Sequence, residues 1–597
     1  MSQTSTQKSD EKSQDASSVT VKVLVALLLT VHAGLLAWSS TKHSPNWNEH
    51  AHLVAGLSHW KFARFELYRV NPPLVRLVAA LPVLTTDVKY QWSEFYEAPG
   101  ARPVFTLGTQ FIKVNGTKFI WYLTLARWAC IPFSLLGGYI CYCWARDLYG
   151  PWAGLFSLTL WCFSPNIIAH GQCITPDCGA TALGLAAMYS FWKWLQSPHW
   201  TKAVIAGLVL GLAELSKSTW IILFGLWPLI WLVWISSSTT TPNTSWYRQL
   251  SQLGTILLLG IYLLNLGYGF EGSFTQLKAF PFVSEALTTI DNNEDCLSSV
   301  KKNRFQDFWI GELPIPLPRN YLLGIDIQKK DFEAFNNVSF LRGKFRKRGW
   351  WYYYLYALAI KVPLGFWVLF VLTVIHALLP GKSNRFSRQD SFVLVIPALA
   401  ILILVSSQTG INQHMRYVLP AFPYAFIWMG QLALGFVEKR RLAAILTTCS
   451  LAWAISSSLW IFPHSLSYFN ELIGGPRNGH FHLLHSNIDW GQDLLFLNEW
   501  IESHPEAKPI YLYYYGYFDP RDLGINYQLP PSNIDQNPDF QLPPGWYAIS
   551  VNYLKSYDWQ QRIIGFSYFQ EKEHVGTAGY SIYIFRVKES DLTCPRE

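Results

Sequence analysis

The chain has 597 residues, of which 50% are hydrophobic and only 14% charged, against roughly 25% charged in an average soluble domain. That balance excludes a single soluble domain and points to a polytopic membrane protein. The net charge of +8 is spread along the chain, which suits membrane topology and anionic partners and argues against nucleic acid.

In chain order, the Ser/Gln/Lys/Asp-rich segment 1–18 reads as a disordered cytoplasmic N-terminus. Eleven apolar runs near spanning length follow, at about 20–40, 122–145, 151–169, 178–195, 202–216, 219–237, 251–270, 352–379, 391–407, 417–436 and 442–462. Only Ser216, Lys217 and Ser218 separate the fifth run from the sixth. The first run lies behind a polar segment, exceeds a signal-peptide core and lacks a small-residue cleavage site, so it reads as a retained span.

Short-loop cations set the orientation. Arg146, Lys193, Lys202, Arg248, Lys382, Arg385, Arg388, Lys439, Arg440 and Arg441 occupy alternate loops, which places the N-terminus on the cytoplasmic side. The first loop 41–121, the segments 170–177 and 408–416, the large loop 271–351 and the tail 464–597 then face outward from an integral plasma (inner) membrane protein. The tail strings "PIYLYYYGYF", "GWYAISVNYL" and "YSIYIFRVK" read as strands, and "QDLLFLNEWI" has helical spacing. The expected fold is therefore a polytopic α-helical membrane bundle over 19–463, ending in a small outward α/β domain over 464–597.

Ionisable residues at the outer boundary carry the chemistry, because a charge at the centre of a span costs ~2.5–3.5 kcal/mol or more. "SPNWNEHAHL" supplies Asn48, Glu49, His50 and His52 at the start of a helix along the interface, and "RFELYRVNPPLVRL" sets Arg69, Asn71 and Arg76 around a double proline that starts a second one. A wet amphipathic surface helix explains the same spacing. "SPNIIAHGQCITPDCGAT" brings His170 and Asp177 outward, although the helix dipole alone accounts for Asp177. Cys173 and Cys178 flank Asp177 and either pair as a disulfide or, more plainly, serve as small packing residues. "LAELSKSTW" leaves two readings for Lys217, an ion pair with Glu214 or an anion ligand. "GINQHMRYVLPAFP" brings Gln413, His414 and Arg416 to a span end, where Arg416 either snorkels or forks onto phosphate. Together these groups fit a reaction on an anionic lipid headgroup.

Asn48-Glu49 behind the first span, "NPPLVR" at 71–76, Asp177 and "RYVLPAFP" at 416–423 resemble the GT-C class of membrane glycosyltransferases that use polyprenyl-phosphate sugars. Within that class the resemblance is to the family 39-like branch of protein O-mannosyltransferases and lipid A aminoarabinose transferases. "GIDIQKKDFE", "RGWWYYYLYALAIKVPLG" and "YFNELIGGPRNGHFHLLHSNIDWGQDL" further resemble a bacterial subgroup of it. The resemblance implies transfer of a sugar, with inversion, from a polyprenyl-phosphate-linked donor in the lipid bilayer to a protein, lipid or polysaccharide acceptor.

It also implies site roles. Arg416 and Lys217, then Arg69 and Arg76, are the phosphate ligands, and His52 is a further substrate contact. Asn71 stands where the branch has a Lys or His before Pro-Pro, and Asn48 stands where it has the catalytic Asp. An amide accepts no proton, so three readings remain: Glu49 is the base, Asp177 takes over, or the chain is an inactive lipid-sugar binder or scaffold. Glu49 with Asp177 nearby is favoured. His52, His170 and His414 with Glu49 or Asp177 are candidate ligands of a divalent metal ion. A transporter is disfavoured by the lack of inverted repeats and paired mid-membrane breaks. Asp489 and Asp493 in "SNIDWGQDL" read as helix-capping and packing residues.

Overall fold

The computed structural model describes residues 2–237, 245–291, 300–333, 338–378, 388–437, 441–531, 542–556 and 566–592. The first apolar run forms α1 (Ser2–Lys42), which is apolar enough to span a membrane over Val19–Lys42.

Among the described residues six helices are long and apolar enough to span, or eight if two bent pairs each count as one. Eleven were expected, and local chemistry explains the difference. The run 178–195 lies in a helix diluted by glycines and Lys193, and the run 202–216 gives a helix of only 17 residues. Pro420 and Pro423 break the run 417–436 into short 3-10 and α segments. Both bent pairs turn at an X-Pro step: Pro151–Cys162 meets Pro165–Gly171 at 62°, and Tyr353–Lys361 meets Leu364–Leu378 at 108°.

The first outward loop carries α2 (Glu49–Phe62) and α3 (Leu74–Ala80), the latter capped by Pro73 of the double proline. α2 is buried from Glu49 to His59, so it is a packed helix and has no wet polar face. Gly56 permits the close approach: a Cβ there would lie 2.3 Å from the Arg76 carbonyl oxygen. Four further helices place site residues: α4 (Lys118–Tyr149), α5 (Pro176–Gln196), α6 (Trp200–Ser216) and, in the large loop, α7 (Arg319–Glu333). The last long helix is α8 (Arg441–Ile461).

Beyond it lie α9 (Leu494–Ser503) and five strands, β1 (Ile510–Tyr513), β2 (Tyr527–Gln528), β3 (Gly545–Ser550), β4 (Gly576–Ala578) and β5 (Ile582–Val587). They form one sheet in the order β2-β1-β3-β5-β4, with β1 parallel to β2 and β3 and the other pairs antiparallel. Ala548 of β3 pairs with Leu512 on one side and Ile584 on the other. Leu494, Leu497 and Ile501 of α9 share one core with these strands and with Leu53, Val54 and Leu57 of α2. Each such side chain stabilises the contact by roughly 1.5–3 kcal/mol, so the sheet is seated on the first loop by apolar burial.

Cys173 and Cys178 are free thiols, and the disulfide considered from their spacing does not form. Cys173 instead accepts from the Asn46 amide at 3.5 Å and donates to the Ala169 carbonyl at 3.4 Å.

Candidate active site

α6 stops at Ser216, and Lys217 caps it with extended backbone (φ −160°, ψ 131°). That break swings Lys217 away from Glu214, which accepts the Tyr321 hydroxyl at 2.6 Å. Lys217 Nζ donates to Asp177 Oδ1 at 2.8 Å, so the local Glu214–Lys217 ion pair gives way to one between two helices. Asp177 sits in the first turn of α5, where the helix dipole favours a carboxylate, and its Oδ2 lies 3.3 Å from Arg416 Nε. One buried carboxylate thus holds two cations.

Arg416 is buried in the 3-10 turn Met415–Ala421, which rules out snorkelling. Its guanidinium lies 4.2 Å from the Trp490 ring centroid and donates to Ser486 Oγ at 2.6 Å. The same hydroxyl bonds His414 Nδ1 at 2.7 Å, and Asn487 accepts the Met415 N–H at 3.0 Å. The segment between α8 and α9 therefore positions the arginine of "RYVLPAFP".

Asp177, Lys217 and Arg416 line a cavity of about 260 Å³ together with Asn48, His52, Asn71 and His414. The structure brings these seven sequence-predicted residues together. Four others lie elsewhere or behind the wall. Glu49 is fully buried off the cavity, with Arg127 Nε at 2.9 Å from Oε1, the Arg127 NH2 group at 2.5 Å from Oε2, and backbone N–H groups of Asn46 and Ile174 at 3.0 and 3.3 Å. Successive helical residues point about 100° apart, so Asn48 faces the cavity while Glu49 turns to Arg127. The placement of Glu49 removes the basis for reading it as the base.

Arg69 pairs with Glu97 and donates to Asn320 at 2.6 Å beside a different pocket. Arg76 donates to the carbonyls of Tyr68 and Asn71, so it fixes the cavity wall and does not reach inside. His170 packs near Trp490, Arg127 occupies Glu49's oxygens, and the candidate donors form no close cluster among the described residues. Glu49, His170 and His414 therefore do not gather as metal ligands. Among the described residues the cluster of three such donors is His43, His464 and Asp493. Asp493 precedes α9 without a side-chain cap bond, so the capping role expected of it goes unmade; Asp489 accepts the Gly491 N–H at 3.1 Å.

Sequence reasoning missed Arg102 and Asp331, which pair across the cavity wall although 229 positions apart, a separation no local motif signals. It also missed Tyr68 and His485, both lining the cavity with left-handed backbone (φ 65° and 58°). Such conformations cost of order 1–3 kcal/mol each and persist where packing imposes them. Here Tyr68 lies against the His52 ring at 4.6 Å, and the His485 N–H donates to Asn552 at 2.7 Å.

The imidazoles here are neutral. Burial, then Arg76, pushes His52 well below its usual range; burial, then Arg416, does the same to His414 and takes His485 down to about 3. Positive charge in the cavity belongs to Lys217, Arg416 and Arg102, and negative charge to Asp177 and Asp331.

A second, mainly apolar groove of about 280 Å³ shares Val70, Asn71, Lys217, Gln328 and Tyr417 with the cavity and continues along Ile221, Ile222, Leu404 and Val405. Lys217 thus stands where a polar space meets an apolar one.

Residues 119–262 match the family model described as dolichyl-phosphate-mannose-protein mannosyltransferase. No curated protein matches the chain. Among solved structures it is similar to apo ArnT from Cupriavidus metallidurans, at 14% identity and TM-score 0.44, over 97% of this chain and 100% of that one. The same protein bound to undecaprenyl phosphate gives 12% and 0.42, over 96% and 99%. The S. cerevisiae Pmt1-Pmt2 complex bound to the sugar donor gives 11% and 0.44, over 74% and 90%. Asp177 and Lys217 fall inside the segment 119–262, which is similar to that family model.

Proposed function

We propose that the protein moves a sugar from a polyprenyl-phosphate carrier to an acceptor on the outward face of the plasma (inner) membrane, with inversion at the anomeric carbon. The observation that carries this reading is Lys217, shared by the cation-lined cavity and the apolar groove. A phosphate at Lys217 and Arg416 leaves the isoprenoid chain in the groove and the sugar in the cavity.

In the reaction the acceptor oxygen bonds to the anomeric carbon, the bond from that carbon to the phosphate oxygen breaks, and the acceptor proton passes to a carboxylate. Charge grows on the departing phosphate, and cations already held in place by Asp177 stabilise that growth more than they stabilise the ground state. Asn48 cannot take the proton, and Glu49 is bound to Arg127. Of the two carboxylates lining the cavity among the described residues, Asp177 is committed to Lys217 and Arg416. Asp331 of α7 meets the single cation Arg102 through Oδ2 and is partly exposed, which sets it apart from Glu49 and Asp177 and makes it the general base in this reading.

The second reading, a binder of lipid-linked sugar, is favoured by Asn48 alone, since an amide lines the cavity where the resembling branch has its Asp. Transfer of radiolabelled sugar from a panel of polyprenyl-phosphate sugars to cell-envelope acceptors in proteoliposomes tests both. Turnover lost in Lys217→Ala and Asp331→Asn supports the transferase. Donor binding that needs Lys217, without wild-type turnover, supports the binder.

A further inference from the structure

His43 follows the last residue of α1, His464 lies three residues past α8, and Asp493 immediately precedes α9, so the three come from three separate parts of the chain. Their side chains meet away from the cavity. His43 and Asp493 are 3% and 0% exposed, and one donor atom from each residue lies within 4.8 Å of the other two.

We propose that His43, His464 and Asp493 bind one divalent transition-metal ion of the zinc class, which clamps the ends of the membrane bundle to the C-terminal sheet. The distances fit. Both imidazole Nδ1 atoms approach the same carboxylate oxygen, Asp493 Oδ1, at 3.6 Å from His43 and 3.4 Å from His464. Zinc bonds of about 2.0–2.2 Å in a tetrahedron place ligand atoms about 3.3–3.6 Å apart. The imidazoles approach Asp493 outside normal hydrogen-bond geometry, which leaves His43 Nδ1, His464 Nδ1 and Asp493 Oδ1 buried without a well-formed hydrogen bond.

His43 Nε2 and Asp493 Oδ2 are fixed as ligands require. His43 Nε2 donates to the Pro463 carbonyl at 3.1 Å, which leaves the lone pair on Nδ1. Asp493 Oδ2 accepts the backbone N–H groups of Tyr580 and Ser581, each at 3.2 Å, so Oδ1 alone faces the imidazoles. Gly579 makes room for it: at φ +57°, a Cβ would come within 2.2 Å of Oδ2. Phe496 covers both imidazoles, at 5.5 Å from the His43 ring and 4.4 Å from His464. Two imidazoles and one carboxylate suit zinc and its neighbours rather than magnesium or calcium, which take oxygen ligands, and a solvent molecule completes four-coordination.

The chain next to the ion leads to the cavity. Ser44 Oγ donates to the Gly491 carbonyl at 2.8 Å and accepts the Leu494 N–H at 3.0 Å, so the clamp fixes the segment that carries Asn48.

The test uses the full chain in detergent, stripped with chelator and titrated with Co2+. One Co2+ per chain is expected, with the visible absorption of a low-coordinate site, a rise in Tm, and displacement by Zn2+. His464→Ala and Asp493→Asn should each weaken uptake at least tenfold. The proposal is overturned if stripped wild type remains folded and takes up no Co2+, or if uptake is unchanged in His464→Ala. Should the variants fail to fold, zinc-edge X-ray absorption of wild type decides: two imidazoles with oxygen ligands uphold the site, and sulfur ligands or a different imidazole count refute it.

Discussion

Arg127 and Glu49 meet fork to fork inside the protein, Nε to Oε1 at 2.9 Å and the NH2 group to Oε2 at 2.5 Å, with both side chains almost wholly buried. The same guanidinium donates to the carbonyls of Ser40, His43 and Ser44, so the pair ties α4 to the turn between α1 and α2. Glu49→Gln leaves Arg127 as an uncompensated buried charge, which costs about 3–5 kcal/mol. Thermal unfolding in detergent should show a large loss in Glu49→Gln, and Glu49→Gln/Arg127→Leu should lose less than the two single changes together. Wild-type stability in Glu49→Gln would contradict this structural role.

In the proposed transfer, Lys217 and Arg416 act on the donor phosphate. A hydrogen bond to a charged group contributes about 1.5–3 kcal/mol, so Lys217→Ala and Arg416→Ala should each lower kcat/KM about 10–100-fold. Asp177→Asn frees the two cations from their common partner and should lower kcat more than it raises KM. Kinetics over a range of donor mole fractions separates these effects.

A carboxylate at position 48 should do the work assigned to Asp331. Loss of a general base costs about 10²–10⁴-fold, and Asp331→Asn should fall in that range. Adding Asn48→Asp should restore at least part of the activity. Rescue measured by single-turnover transfer identifies a missing base, whereas a structural defect at position 331 would not respond.

The buried imidazoles set an acid limit. Burial takes His50 and His485 down to about 3 and holds His52 and His414 well below their usual range. The unfolded chain titrates near 6.5, so below that pH it binds more protons than the folded chain and stability falls with falling pH. Each imidazole contributes about 1.4 kcal/mol per pH unit until its folded value is reached. Tm should be flat from pH 8 to 7 and drop by more than about 5 °C by pH 5.5; an unchanged Tm at pH 5.5 would refute this.

The charged residues Asp177, Lys217 and Arg416 are legible in the sequence because membranes make charged side chains expensive. Adjacency misled at Asn48 and Glu49, since neighbours on a helix face different ways and the Arg127 partner lies 78 positions on. Spacing likewise suggested a Glu214–Lys217 pair, yet the helix ends between them. Arg102 and Asp331 carried no signal at all, because only the folded large loop brings them together. Strand strings in the tail were readable from β-branched and aromatic residues, while the breaks at Pro420 and Pro423 lay inside a run that hydropathy alone treats as continuous.

Because the polar cavity and the apolar groove share Lys217, an amphiphile filling both has one end in water and the other in hydrocarbon. For the lipid-linked sugar of the proposed reaction, availability is then set in two dimensions, by its mole fraction among the lipids, and no longer by bulk molarity. Adding inert detergent at constant total donor should slow the reaction by surface dilution alone, so rates measured in micelles and in native membranes become comparable only on a mole-fraction scale.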